Sequence, residues 1–145
     1  MATLLLIHGP NLNRLGKRDA SNYGSKTLAE IEELVTSEAE RLGHSVKTFQ
    51  SNNEGALIDF LQSESKNASG VIINPGAFTH YSYALHDALV DTNLPCVEVH
   101  LSDINSREEW RKISVTAPAC IAQISGKKDA GYLEALSILN AKLQK

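Results

Sequence analysis

The side chains best suited to chemistry in this 145-residue chain fall in three polar segments, each directly after an apolar run of strand length. The first, HGPNLNRLGKRDASNYGSKT, carries Asn11, Arg18 and Tyr23; the second, NPGAFTHYS, carries Asn74 and His80; the third, HLSDINSREEWR, carries His100, Ser102 and Arg111. Imidazole and phenol groups can move protons, and guanidinium, amide and hydroxyl groups can hold an anion. Glu98 stands two residues before His100. On a strand that spacing puts both on one face, so the carboxylate can fix the ring. The second and fifth apolar runs lead into bland segments, which makes the expected cleft asymmetric across a sheet.

Five apolar runs are expected to be strands: Thr3 to Ile7, Val46 to Phe49, Gly70 to Ile73, Cys96 to Val99 and Ala119 to Ile124. Helical periods lie between them, at Leu28, Ile31, Leu34, Val35 and Leu42, at Leu57, Ile58 and Leu61, at Ala84, Leu85, Ala88 and Leu89, and at Leu133, Leu136, Leu139 and Leu143. Thr27 and Glu30 form a capping box, Gly43 suits a left-handed helix stop, and Pro95 precedes a strand. Strands separated by helices need crossover connections, which gives one α/β domain over residues 1–145. Its core is a flavodoxin-like, doubly wound, five-stranded parallel sheet with helices on both faces. The stretch from His100 to Pro118 is only weakly helical, around Arg107 to Lys112.

In such sheets ligands bind beyond the carboxyl ends of the strands. The first connection is roughly 18 residues long where about 2 to 6 are usual, and we read residues 14–26, with Gly16 and Gly24 as hinges, as an active-site lid. The segment lacks GxxxxGK[ST] and GxGxxG, so a nucleotide or flavin phosphate is not its ligand. Receiver-type chemistry is excluded too, because Gly9 to Asn11 and Asn74 stand where acidic residues are required.

At 42% hydrophobic and 21% charged residues the chain is ordinary globular material, and a net charge of −3 with no basic run argues against nucleic acid or an anionic membrane as partner. Cys96 and Cys120 are 24 residues apart with no CxxC spacing, and both sit in apolar runs. Neither His8 nor His44 has a second ligand at metal spacing, and both read as structural. The N-terminal MATLLLIHGP has no basic region and too few apolar residues for a signal peptide or a spanning helix, so a cytoplasmic protein is expected.

HGPNLNRLGKR, NYG, NPGAFTHYSYAL and EVHLSDINSREEWR, in this order and spacing, resemble the type II 3-dehydroquinate dehydratases over essentially the whole chain. The resemblance implies reversible loss of water from 3-dehydroquinate to give 3-dehydroshikimate, in the shikimate pathway or in quinate breakdown. It also implies a homododecamer built as a tetramer of trimers, with no metal and no organic cofactor. By the same resemblance Tyr23 is the proton acceptor, His100 the proton donor, and Asn11 stabilises an enolate through a bound water. A free phenol titrates near about 10, and Arg18 is the cation placed to make it a usable base. Glu98 orients His100. Asn74, the backbone amides of Leu101 and Ser102, and the Ser102 hydroxyl hold the substrate carboxylate, while His80 and Arg111 hold ring hydroxyls. Asp87 corresponds to a carboxylate that reaches a neighbouring subunit's site.

Each has a plainer reading: Tyr23 an exposed loop tyrosine, His100 a solvated strand end, Asn11 a turn residue after Pro10, Arg111 part of a solvated charged helix face with Arg107, Glu108 and Glu109, and Asp87 a surface carboxylate. The pairing of a proton acceptor with a donor favours an enzyme over the alternative, a non-enzymatic flavodoxin-like module that binds a small anion. The chain departs from the family pattern at Tyr81 and Tyr83, at His86, at Asp19 and at Ser125 to Lys128.

Overall fold

Leu4, Leu5, Leu6 and Ile7 leave no polar face on the first strand, so it has to lie inside a sheet, paired on both sides and with both faces covered. In the computed structural model, which describes residues 2–144, that is its place. Strands β1 (Thr3–His8), β2 (Ser45–Gln50), β3 (Gly70–Asn74), β4 (Cys96–His100) and β5 (Ala122–Ser125) form one parallel sheet in the order β2-β1-β3-β4-β5. The helices are α1 (Ala20–Tyr23), α2 (Leu28–Arg41), α3 (Glu54–Glu64), α4 (Tyr83–Asp91) and α5 (Ala130–Leu143). Alternation along each strand divides the core in two. Leu4, Leu6, Ile72, Val97 and Val99 pack under α2 and α5, whereas Leu5, Ile7, Val71, Ile73 and Cys96 pack under α3 and α4.

Local signals explain the boundaries. The Thr27 side chain and the Glu30 side chain satisfy each other's backbone N–H groups at the start of α2. Gly43 ends that helix at φ 86°, a value that favours glycine. Two expectations need correction. The fifth strand begins at Ala122 rather than Ala119, because Ala117–Ala119 with Pro118 inside it closes a 3₁₀ turn first. The stretch from Arg107 to Lys112 is not a helix: it holds only the 3₁₀ turn Glu109–Arg111, following another at Ile104–Ser106.

The chain turns left to β2 and right to β3 from β1, so the crevice of the fold opens between the carboxyl ends of β1 and β3. His8 and Asn74 are paired in register there, and the Gly9 N–H donates to Asn74 O at 2.7 Å. The two following loops are pressed together: a Cβ on Gly9 would lie 2.2 Å from Pro75 O, and Gly76, at φ 60°, faces Pro10 O. Gly9→Ala is therefore expected to force a backbone shift and to destabilise the protein by about 2 kcal/mol or more, lowering the melting temperature by roughly 5 °C. A thermal melt within about a degree of wild type would show that these loops can part freely.

Candidate active site

A cleft at this crevice is lined by Pro10, Asn11, Leu12, Arg18, Tyr23, Asn74, His80, His100, Leu101, Ser102, Arg107 and Arg111, drawn from the loops after β1, β3 and β4. Nine of the eleven residues singled out from the sequence line it. A tenth, Glu98, lies fully buried behind His100.

The first wall is the segment read as a lid. Its glycine hinges have positive φ, 93° at Gly16 and 79° at Gly24. Between them the chain is more ordered than its composition suggests. The Asp19 carboxylate caps α1, accepting from the Ser21 N–H, the Ser21 hydroxyl and the Asn22 amide. That one-turn helix delivers Tyr23 half-buried against the core, with the Arg18 guanidinium 3.7 Å from the centre of its ring. Upstream, Asn11 holds the left-handed conformation at φ 70°, which asparagine tolerates better than most residues. Its N–H donates to Asn52 Oδ1 at 2.9 Å, and Gln50 Nε2 donates to Gly9 O at 3.1 Å. The end of β2 is thus not bland: it holds the first loop in place.

The opposite wall is the end of β4. His100 Nε2 donates to Glu98 Oε2 at 2.9 Å, both side chains being nearly or fully buried. Burial opposes the charge on Glu98, but the His100 contact, the Thr116 hydroxyl and the Gln123 amide outweigh it and hold its carboxyl down to about 2. A folded value below the ordinary one of 4.5 means that this stabilisation is present above about pH 4.5 and is lost as pH falls from there towards 2. Stability to urea is expected to drop by on the order of 3 kcal/mol across that window, and less in Glu98→Gln. Equal acid sensitivity in the two proteins would refute this assignment.

The floor supplies donors. Asn74 is buried, its Oδ1 accepting from the Gly76 N–H at 3.0 Å and its Nδ2 donating to Tyr132 Oη at 3.1 Å. After β4, the Lys128 N–H donates to Leu101 O at 3.1 Å and the Gly126 N–H to Ser102 O at 3.0 Å. Peptide planarity then turns the Ser102 N–H away from that loop. His80 Nδ1 donates to Ile113 O at 2.7 Å, which leaves Nε2 as the ring's acceptor. Burial also holds His80 below its ordinary value, so it is neutral at pH 7.

The resemblance noted above is decided by comparison with known proteins. The family model described as "Dehydroquinase class II" matches residues 2–140. The chain belongs to the class II dehydroquinases. Among this family's members, the 3-dehydroquinate dehydratase of Clostridium beijerinckii is 49% identical over 140 residues, covering 96% of each chain. That of Bacillus mycoides is 50% identical over 144 residues, covering 99% of each. The crystal structure of the type II dehydroquinase from Butyrivibrio crossotus matches with a TM-score of 0.93 at 43% identity, over 96% of this chain and 97% of that one. Membership removes the non-enzymatic anion-binding module as a reading.

Within this dehydroquinase several residues near the cleft were not visible as such in the sequence. Arg107 passes for a solvated charge, yet its Nη1 donates to Ser102 Oγ at 3.1 Å and its guanidinium stands 5.2 Å from the Tyr23 ring centre. Arg111 is not on a solvated helix face: it lines the cleft, pairs with Glu108 at 3.0 Å and lies 4.0 Å from the Trp110 ring centre. Trp110 also meets the His80 ring edge-on, at 5.2 Å between centres. Tyr132 reads as one more core residue of α5, and only its bond to Asn74 distinguishes it. Asp87 stands apart: it does not line this cleft, its side chain is 77% exposed, and its near partner is His86 at 3.0 Å. His8 is buried 3.1 Å from Glu32, and His44 bonds Asn140 at 2.8 Å.

Proposed function

We infer that this dehydroquinase removes water from 3-dehydroquinate to give 3-dehydroshikimate, reversibly and through an enolate, as a step of the shikimate pathway. The observation that carries this reading is the cleft itself: a tyrosine stacked under a guanidinium on one wall and a carboxylate-backed histidine on the other. Elimination next to a ketone needs one group to take the carbon-bound proton and another to protonate the departing hydroxyl. Tyr23 takes the first role, with Arg18 as the charge beside it, and His100 takes the second, with Glu98 orienting its ring. Asn11 stabilises the enolate oxygen through a water. Asn74, Ser102 and the amides of Leu101 and Ser102 hold the carboxylate, while His80 and Arg111 hold ring hydroxyls. The segment at residues 14–26 acts as the lid over bound substrate, and no metal or organic cofactor takes part. Incubation of the purified protein with 3-dehydroquinate should generate the ultraviolet absorbance of the conjugated enone. Tight binding of substrate with no enone would contradict this reading.

Asp87 finds its use in a second subunit. Tyr83, Asp87 and Val90 lie at i, i+4 and i+7 on α4, on one face of that helix. Tyr83 is 70% exposed, and Tyr81 just before the helix 61%. An apolar face of this kind around a lone carboxylate suits closed symmetric assembly, and a homododecamer of four trimers would carry Asp87 to its neighbour's cleft. Among the described residues no helix is long and apolar enough to cross a membrane, which accords with a cytoplasmic enzyme. Sedimentation should give an assembly made of trimers, with specific activity falling on dilution below its dissociation range. A monomer fully active at high dilution would rule out a shared site.

A further inference from the structure

Glu98 is held by more than the histidine it orients. Its carboxylate is completely buried, and four side chains reach its two oxygens. His100 Nε2 at 2.9 Å, Ser114 Oγ at 2.9 Å and Gln123 Nε2 at 2.7 Å meet Oε2, and the Thr116 hydroxyl meets Oε1. Behind them Thr79 Oγ1 lies 2.7 Å from both Ser114 Oγ and Thr116 Oγ1.

The proton count gives this cluster a direction. A carboxylate only accepts, and each hydroxyl has one proton to give. The Ser114 and Thr116 protons go to Glu98, so both hydroxyls can only accept from their other neighbours. Ser114 Oγ does accept from the Ala117 N–H at 3.0 Å, and the single Thr79 proton goes to one of the two hydroxyls it touches. Every proton in the cluster therefore runs towards Glu98. Three donors converge on Oε2, two of them N–H groups, and the Thr116 hydroxyl meets Oε1, a set of partners that favours the ionised carboxylate.

The two hydroxyls lie on an irregular strap, residues 112–118, that also serves the other histidine of the cleft. Ile113 O takes the His80 Nδ1 proton, and the Val115 N–H donates to Thr79 O at 2.7 Å, next to His80. One strap thus ties the ends of β3 and β4 together.

We propose that Thr116, Ser114 and Gln123 are positioning residues for the dehydration, holding Glu98 as a buried ionised acceptor of fixed orientation and so setting the tautomer and aim of the His100 ring. The inference rests on the reading of His100 as the proton donor. With Nε2–H committed to Glu98, the departing hydroxyl takes the Nδ1 proton of the doubly protonated ring, which leaves the neutral Nε2–H tautomer on Glu98. The titratable groups facing the carboxylate are His100 on its own strand, His80 after β3 and the Cys120 thiol before β5. Burial keeps Cys120 protonated, and Ile73, the register partner of Glu98 on β3, adds no charge.

Thr116→Val keeps the shape and deletes the donor to Oε1. It is expected to lower kcat about tenfold with KM within about threefold, and to move the acid limb of the kcat profile up by about one pH unit, because Glu98 then protonates at higher pH. Thr116→Ser, which restores the hydroxyl, should recover both. Gln123→Met, at the edge of the cluster, makes the same test with less risk to folding. If Thr116→Val and Gln123→Met melt at lower temperature but keep wild-type kcat and an unmoved acid limb while His100→Ala is inactive, the cluster is structural and the proposal is wrong. If His100→Ala is itself active, the reading of His100 fails instead.

Discussion

Tyr23→Phe is expected to abolish turnover, by at least about a thousandfold in kcat, while leaving substrate affinity within about tenfold. The substitution keeps the ring, and with it the packing against the core and the stack under Arg18. What it deletes is the oxygen that accepts the proton in the transition state, and little that holds the ground state. Arg18→Ala should cost nearly as much, because its charge stands over the ring on which the negative charge of the base must reside. Since the two side chains are in contact, their effects should be far from additive, and the double variant should be little worse than either single one. Retention of more than about a tenth of wild-type activity by Tyr23→Phe would move proton abstraction elsewhere, with His80 the first group to test.

His100→Ala carries the second large effect, a loss of about a hundredfold or more in net dehydration. Its pattern should differ from that of the tyrosine variant. The ring protonates the departing hydroxyl, so its removal blocks the second half of the reaction and leaves proton abstraction possible. It also leaves a buried Glu98 with one donor fewer, so some loss of stability should accompany the loss of rate.

The parts of the fold that were legible are those with dense local signals. The runs at Leu4 to Ile7 and Val71 to Ile73 cannot be placed except in a covered parallel sheet, and the capping box at Thr27 marks its helix within one residue. The start of β5 was missed because Ala119, Cys120 and Ile121 look like strand, and only the turn around Pro118 shows that they are not. The short 3₁₀ turns between Ile104 and Arg111 have no period to detect. In the site, residues one or two positions from a strand end were readable, since strand ends converge by topology. Thr116 and Gln123 were not, because they lie 18 and 25 residues from Glu98 and only the packed strap and the β4–β5 pairing bring them to it. Tyr132 was hidden for a similar reason: an aromatic on an apolar helix gives no sign that its hydroxyl meets Asn74.

The division of labour between the two walls of the cleft is tested most directly by following exchange of the abstractable proton of 3-dehydroquinate with deuterated solvent by NMR, alongside enone formation, in Tyr23→Phe and His100→Ala. The account predicts that His100→Ala still exchanges that proton while forming almost no enone, and that Tyr23→Phe does neither. Exchange that survives in Tyr23→Phe, or that is lost equally in both variants, would contradict it.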